Sequence, residues 1–240
     1  MPVPRVIDLS HHNVIPCDLM EAARGGVIGC IHKLTEGSSY VDDKVQARYF
    51  FTKEAGMLWG IYHFLRPGDM DQQARFFVDT AMALGVFDDD TCVVADHEDQ
   101  SVSGEELKAF LDAVEDLTGH SPVVYSGHVL KEQLEGSDYR MKRRLWLCQY
   151  CSPPPTLPEG VDSYWLWQYT DAGEMAGINA PVDLNSFEGP DEDFIASWSG
   201  NQNIEPPAPD VPQVELHLTA TQYVEVHVTG GENVKVITEE

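Results

Sequence analysis

Four acidic residues stand where the chain leaves short apolar stretches. Asp8 follows Val6 and Ile7, Asp96 and Glu98 end the stretch VVADHE, and Asp183 lies in VDLN. Such stretches read as β-strands, and the acids then fall at or near strand ends. Residues i and i+2 of a strand share a face, so Asp96 and Glu98 point the same way and His97 points the other. Their Cα atoms are expected about 6.6 Å apart. Two carboxyls held that close resist ionising together, so one keeps its proton while the other is an anion. That pairing suits cleavage of a glycosidic bond, where an acid protonates the leaving oxygen and a carboxylate stabilises the charge developing at the sugar carbon. A D-x-E is common by itself, and acids at strand ends often only cap the next helix. Four such acids, with aromatic residues around them, favour catalysis.

The aromatics are Tyr62 and Phe64 in GIYHF, Tyr125 in VVYSG, and Trp146, Trp165, Trp167 and Tyr169 further on. Sugar rings stack their C–H faces on such surfaces. Strand alternation lets only every second residue of 164–169 line an interior.

The elements that position these residues follow from periodicity. Candidate strands are Arg5–Leu9, Val27–Leu34, Leu58–Leu65, Cys92–Glu98, Pro122–Ser126, Leu145–Tyr150, Tyr164–Tyr169 and Val182–Asn185. Several lack polar alternation, as strands covered on both faces do. Gly104–Leu117 reads as a helix with Ser103 and Glu106 as its capping box. Asp71–Leu84 reads as a second helix ended by Gly85, and Asp42–Ala55 as a third. Strand–helix repetition with right-handed crossovers implies a parallel sheet. The expected fold is α/β, a modified (β/α)8-type barrel whose helical ring is incomplete near its end, with the last strand beside the first. Barrel active sites are built at the C-terminal ends of the strands, where the four acids fall.

Residues 1–200 form the expected catalytic barrel. Residues 201–212 read as a Pro-rich linker, and 213–240 alternate apolar and polar residues as a small β module with a turn at Thr229-Gly230-Gly231. Strands so few and short need a partner surface, so homo-oligomerisation through them, or targeting, is the expectation. The chain has 240 residues, 15 basic and 40 acidic, for a net charge of −25. Such a surface argues against nucleic acid and against an anionic membrane face. No apolar run reaches the length of about 18 residues that spans a membrane. The N-terminus shows no signal-peptide core, so the expected route is cytoplasmic synthesis followed by release or export to a cell wall. Five cysteines, an odd number, with Cys148 and Cys151 as a lone C-x-x-C, suggest a reduced protein without a disulfide framework.

Eight segments, in order, resemble glycoside hydrolase family 25, the Chalaropsis-type lysozymes of phage endolysins and bacterial autolysins. They are VIDLSHHN, KLTEGSSYVDDK, AGMLWGIYHFLRP, VVADHED, PVVYSG, LWLCQY, WLWQYT and VDLNSF, between Val6 and about Trp198. The resemblance implies hydrolysis of the β-1,4 bond between N-acetylmuramic acid and N-acetylglucosamine in peptidoglycan. It implies Glu98 as acid/base, Asp96 as the assisting carboxylate, and Asp8 and Asp183 completing the acidic site. Lys33, Tyr62, Trp167 and Gln168 look like substrate-groove positions; the aromatic census adds Phe64 and Tyr125. The implied chemistry runs through the substrate acetamido group, with direct inversion by water left open. No metal or other cofactor is implied. Leu34 and His97 depart from the family pattern. Three rival readings remain open at this level: a metal-dependent hydrolase using Asp8, His11, His12, His32, His63 and Asp96, a non-catalytic glycan-binding module, and a chitin-type barrel glycosidase.

Overall fold

The structure is a computed structural model and describes residues 2–13, 18–135 and 141–201. The linker and β-module expectations for 202–240 lie outside the described residues. Among the described residues there are nine strands: β1 (Val6–Leu9), β2 (Gly29–Glu36), β3 (Tyr40–Val41), β4 (Leu58–Phe64), β5 (Cys92–Asp96), β6 (Val123–Ser126), β7 (Leu145–Cys148), β8 (Leu166–Met175) and β9 (Ile178–Ser186). The helices are α1 (Leu19–Arg24), α2 (Val45–Glu54), α3 (Met70–Leu84), α4 (Gly104–Thr118), α5 (His128–Leu134) and α6 (Asp191–Ala196). Eight strands close into a barrel in the order β1-β2-β4-β5-β6-β7-β8-β9, and β3 pairs with β2 outside it.

Neighbouring strands from β1 to β8 run parallel. The last strand corrects the expectation of an all-parallel sheet. β9 follows β8 through a tight hairpin and runs antiparallel to both β8 and β1. No helix lies between β8 and β9 to carry the chain back, so the strand can only return. The helical ring is incomplete there, as it is between β7 and β8.

Period two separates the two faces of each strand. Val6, Ile31, Cys92, Val94, Val123, Trp146 and Leu166 fill the barrel interior, and Phe194 and Trp198 pack against them from α6 and the residues after it. Trp198 donates its indole N–H to the Trp59 carbonyl at 2.8 Å, and its ring lies 2.9 Å from where a Cβ on Gly29 would stand. The opposite strand faces pack on the helices in a second layer that includes Ile7, Ile61, Phe77, Leu107 and Phe110. Cys30 and Cys92 are buried as core residues.

Helix limits follow local chemistry. α4 carries the expected capping box, with the Ser103 hydroxyl taking the Glu106 N–H and the Glu106 carboxylate taking the Ser103 N–H. α3 begins at an Asp69 cap and ends at Gly85, whose φ of 66° is left-handed. α2 starts later than the expected Asp42. The Asp42 carboxylate is occupied by the His11 N–H and ring, by His32 and by the Lys44 N–H, so it anchors a loop. Among the described residues no helix is long and apolar enough to cross a membrane.

Ser103→Ala removes one side of the capping box while leaving the barrel interior untouched. The variant is expected to lose about 1 kcal/mol of stability, read from urea unfolding. A loss near zero would mean the box contributes nothing to α4.

Candidate active site

The barrel interior changes character along its axis. Apolar side chains fill the end nearest Trp198, and polar ones take over one step along each strand: Asp8 beyond Val6, Tyr62 beyond Gly60, Asp96 beyond Val94, Tyr125 beyond Val123, Gln168 beyond Leu166. Together with Glu98, Trp146, Tyr150, Asp171 and Asp183 they line a cleft of about 250 Å³ at the mouth.

Asp8 is the most tightly held acid. It accepts from Asn185 Nδ2 at 2.8 Å and from Gln168 Nε2 at 3.0 and 3.2 Å. Both amides are oriented by other groups. Trp146 Nε1 donates to Asn185 Oδ1 at 2.7 Å. The Tyr125 and Tyr150 hydroxyls donate to Gln168 Oε1 at 2.8 and 2.9 Å. Asp183 reaches the site through the antiparallel register, directly opposite Asp8. Burial pushes the Asp183 carboxyl up to about 9, helped by the charge of Asp8 and a hydrogen bond to it. Burial also raises Asp8, against the opposing pull of its amide donors and of Asp183. Asp183 is therefore the proton carrier of the pair and Asp8 the anion.

Asp96 and Glu98 both line the cleft, and His97 turns away, as alternation predicts. β5 ends at Asp96, so Glu98 stands on the loop just beyond it. Burial raises Asp96 well above the usual carboxylate range, and the Glu98 charge adds to this. Asp96 Oδ1 is buried without a hydrogen-bond partner among the described residues. Burial raises Glu98 as well, reinforced by the negative charge of Asp8 and opposed by His128. The arrangement holds a protonated carboxyl beside a crowded set of carboxylates, which is the requirement for acid catalysis next to an anion.

The other expected groove residues divide. Tyr62, Tyr125 and Gln168 line the cleft. Lys33 is buried in the second half of β2, 2.5 Å from Glu36 Oε2, and its charge acts on Asp96. Phe64 does not line the cleft: its ring lies between the Lys33 ammonium at 5.0 Å and the Arg66 guanidinium at 4.6 Å. Trp167 does not line it either. It occupies the outer face of β8, packs with Leu130, Leu134, Leu145, Leu147 and Val161, and donates to the Gln149 carbonyl at 2.7 Å. Its neighbour Gln168 takes the inner face, as period two requires. Trp146, one of the candidate stacking aromatics, lies in the site, and Tyr150, Asp171 and Asn185 complete it beyond the residues expected. Asn185 sits two residues after Asp183 in VDLN, and that spacing was the signal for it.

The histidines of the metal-site reading do not gather at Asp8 and Asp96: His11 pairs with Asp42 and its ring lies against that of His12. His32 faces α2 and pairs with Asp42, and His63 lies between Thr35 and Gln73 against Phe110. Among the described residues no group of three or more His, Cys, Asp or Glu side chains is placed to hold a metal ion.

A model of the family described as Glycosyl hydrolases family 25 matches residues 7–178. The chain belongs to this family. Its family 25 match stops short of Asp183 and Asn185, which closure of the barrel brings to the site. The protein YegX of Escherichia coli K12 is 33% identical over 176 residues, covering 70% of this chain and 62% of YegX. Lysozyme M1 of Streptomyces globisporus is 27% identical over 178 residues, covering 65% of this chain and 58% of that protein. The chain thus spans 62% and 58% of those two relatives' lengths. The structure of a muramidase from Trichobolus zukalii superposes with a TM-score of 0.69 at 27% identity, covering 82% of this chain and 99% of that one.

Asp183 yields a stability prediction. Folded, it keeps its proton to about pH 9; unfolded, it ionises in the ordinary carboxylate range. Between those limits the unfolded chain binds fewer protons, so this group's contribution to stability is lost as pH rises. Asp183→Asn is expected to lose less thermal stability than wild type between about pH 5 and about pH 8. Equal losses in the two proteins would show that Asp183 is not the proton carrier.

Proposed function

We propose that this chain hydrolyses the β-1,4 bond between N-acetylmuramic acid and N-acetylglucosamine in peptidoglycan, acting at a bacterial wall after release or export. The observation that carries the reading is the pair Asp96 and Glu98, side by side in a buried acidic cleft at the mouth of a family 25 barrel. Lysozyme M1 and the Trichobolus muramidase are named for this kind of activity.

In this reading Glu98 is the general acid. Its carboxyl is kept protonated by burial and by the Asp8 anion, and it gives its proton to the glycosidic oxygen as the bond to the sugar C1 breaks. The acetamido oxygen of the same sugar forms the new bond at C1. The bare Oδ1 of Asp96 is the acceptor for the acetamido N–H, which becomes more acidic as the ring closes and gains positive charge. Asp96 serves in its ionised form, which the positive charge developing beside it favours. Glu98, now ionised, takes a proton from water as the water attacks C1 and reopens the ring. The two displacements at C1 leave the anomeric configuration retained. Asp8 and Asp183, one ionised and one protonated, offer both an acceptor and a donor to sugar hydroxyls on the opposite wall. Tyr62, Tyr125 and Tyr150 supply the flat surfaces beside them.

Digestion of purified peptidoglycan tests this, with mass analysis of the new reducing ends. Wild type is expected to release muramic-acid reducing ends in the β configuration. Glu98→Gln is expected to lose activity by about a hundredfold to ten-thousandfold while folding normally. Glucosamine reducing ends, cleavage of chitin oligomers alone, or an unimpaired Glu98→Gln enzyme would each refute the assignment.

The same electrostatics set a pH limit. The acid works only while protonated, so activity falls as pH rises through the elevated Glu98 pKa. Asp8→Asn removes the anion that raises it, and the alkaline limb of the rate profile is expected to move to lower pH. A limb that stays in place would separate Glu98 from Asp8.

A further inference from the structure

His97 lies between the two acids in sequence, and its side chain is fully buried on the far side of the sheet. Its Nε2 is 3.0 Å from Gln133 Oε1 on α5. Gln133 Nε2 donates to the Val102 carbonyl at 2.8 Å, which fixes the amide with its oxygen toward the imidazole. That oxygen only accepts, so the His97 proton resides on Nε2. Nδ1 is then a bare lone pair, buried and without a partner among the described residues. The backbone of the same residue is gripped as well. Its N–H donates to the Tyr125 carbonyl at 2.8 Å, and its carbonyl accepts from Ser126 Oγ at 2.7 Å. That hydroxyl also receives the Leu130 N–H of α5 at 3.3 Å.

Gln133 therefore joins both ends of the loop that carries Glu98: the side chain of His97 at one end and the carbonyl of Val102 at the other. A leucine would fill the space around His97 without burying an unpaired nitrogen, whose desolvation is a cost with no local return. The hydrogen bond to Gln133 is what the imidazole adds over an apolar side chain. We propose that His97 and Gln133 form a positioning link that holds the Glu98 loop against α5 and keeps the Glu98 carboxyl turned into the cleft. The functional half of this inference rests on Glu98 being the acid/base; the structural half does not.

Glu98 faces Asp8, Asp96, Asp183, His128 and Tyr125 across the cleft, so its titration reports how deeply it is seated. The experiment follows the Glu98 carboxyl by carbon-13 NMR in wild type, His97→Leu, Gln133→Met and His97→Gln, with Glu98→Gln assigning the signal. His97→Leu and Gln133→Met are expected to lower the titration midpoint toward that of an ordinary glutamate, because a loosened loop lets water reach the carboxyl. His97→Gln, whose amide can still donate to Gln133, is expected to keep the wild-type midpoint. On peptidoglycan the first two variants should lose about tenfold to a hundredfold in rate at saturation, with half-saturation little changed. Unmoved midpoints in both His97→Leu and Gln133→Met, whatever their melting temperatures, would overturn the link and leave only packing. Should His97→Leu not fold, Gln133→Met decides alone from the other end of the bond. A wild type inert on peptidoglycan would remove the proposed activity, while the midpoints would still decide the link.

Discussion

Trp146 carries an N–H and no acceptor, so the Asn185 amide beside it can present only its oxygen to the indole. Its nitrogen is thereby committed to Asp8 and to the Val6 carbonyl. The same logic orients Gln168. Its nitrogen faces a carboxylate, which only accepts, and its oxygen is left to gather the hydroxyl protons of Tyr125 and Tyr150. Residues from β1, β6, β7, β8 and β9 are thus joined in one network whose donor directions are set at two points, the Trp146 indole and the Asp8 carboxylate. Such networks are worth having only when every member is satisfied, because a half-satisfied one costs more than an apolar core. Here the satisfied end lies around Asp8, and the unsatisfied atom, Asp96 Oδ1, lies across the cleft from it.

That asymmetry has chemical content. Asp8, Asp96, Glu98, Asp171 and Asp183 all border one small cavity, and charges so close cannot all be expressed. Hydrogen bonds stabilise ionisation at Asp8, and burial together with neighbouring negative charge raises Asp96, Glu98 and Asp183. The Glu98 carboxyl is raised chiefly because it is partly buried, and it also stands in the field of Asp8. The destabilisation this implies is offset by the rest of the barrel: the apolar layer below the cleft, the Trp198 plug and the helix layer outside the sheet. The divided interior lets one structure hold both a stable core and a strained site.

The strand and helix pattern was readable because period two and period 3.6 are local properties. Seven parallel strands, the α4 capping box and the shared orientation of Asp96 and Glu98 follow from it directly. What periodicity does not encode is which face of a strand meets the interior. Trp167 and Gln168 are adjacent and both suit a groove, yet only one can face inward, and closure of the sheet selected Gln168. Phe64 shares the inward phase of Tyr62 but sits beside two cations instead of the cavity. The reverse failure concerns Asp42, which looked like the start of a helix. Its carboxylate is claimed by groups from two other segments, and no local pattern announces a partner that far along the chain.

The direction of β9 is the clearest case of topology deciding chemistry. In a parallel barrel each strand offers the mouth only its C-terminal end, usually one inward residue before the chain turns away. An antiparallel closing strand enters the sheet from the mouth side, so its inward residues there are followed at once by more strand. β9 thereby delivers both Asp183 and Asn185, the first opposite Asp8 and the second opposite Val6 and Gln168. The hairpin that makes this possible is pinned at its tip. Gly177 has a φ of 83°, and a Cβ there would stand 2.3 Å from the Asp18 carbonyl. Its own carbonyl accepts the Asp18 N–H at 2.7 Å, at the start of α1. A side chain at position 177 would push the hairpin off α1 and shift the register that sets Asp183 against Asp8. A glycine with no part in the chemistry therefore helps seat the hairpin whose second strand sets Asp183 against Asp8.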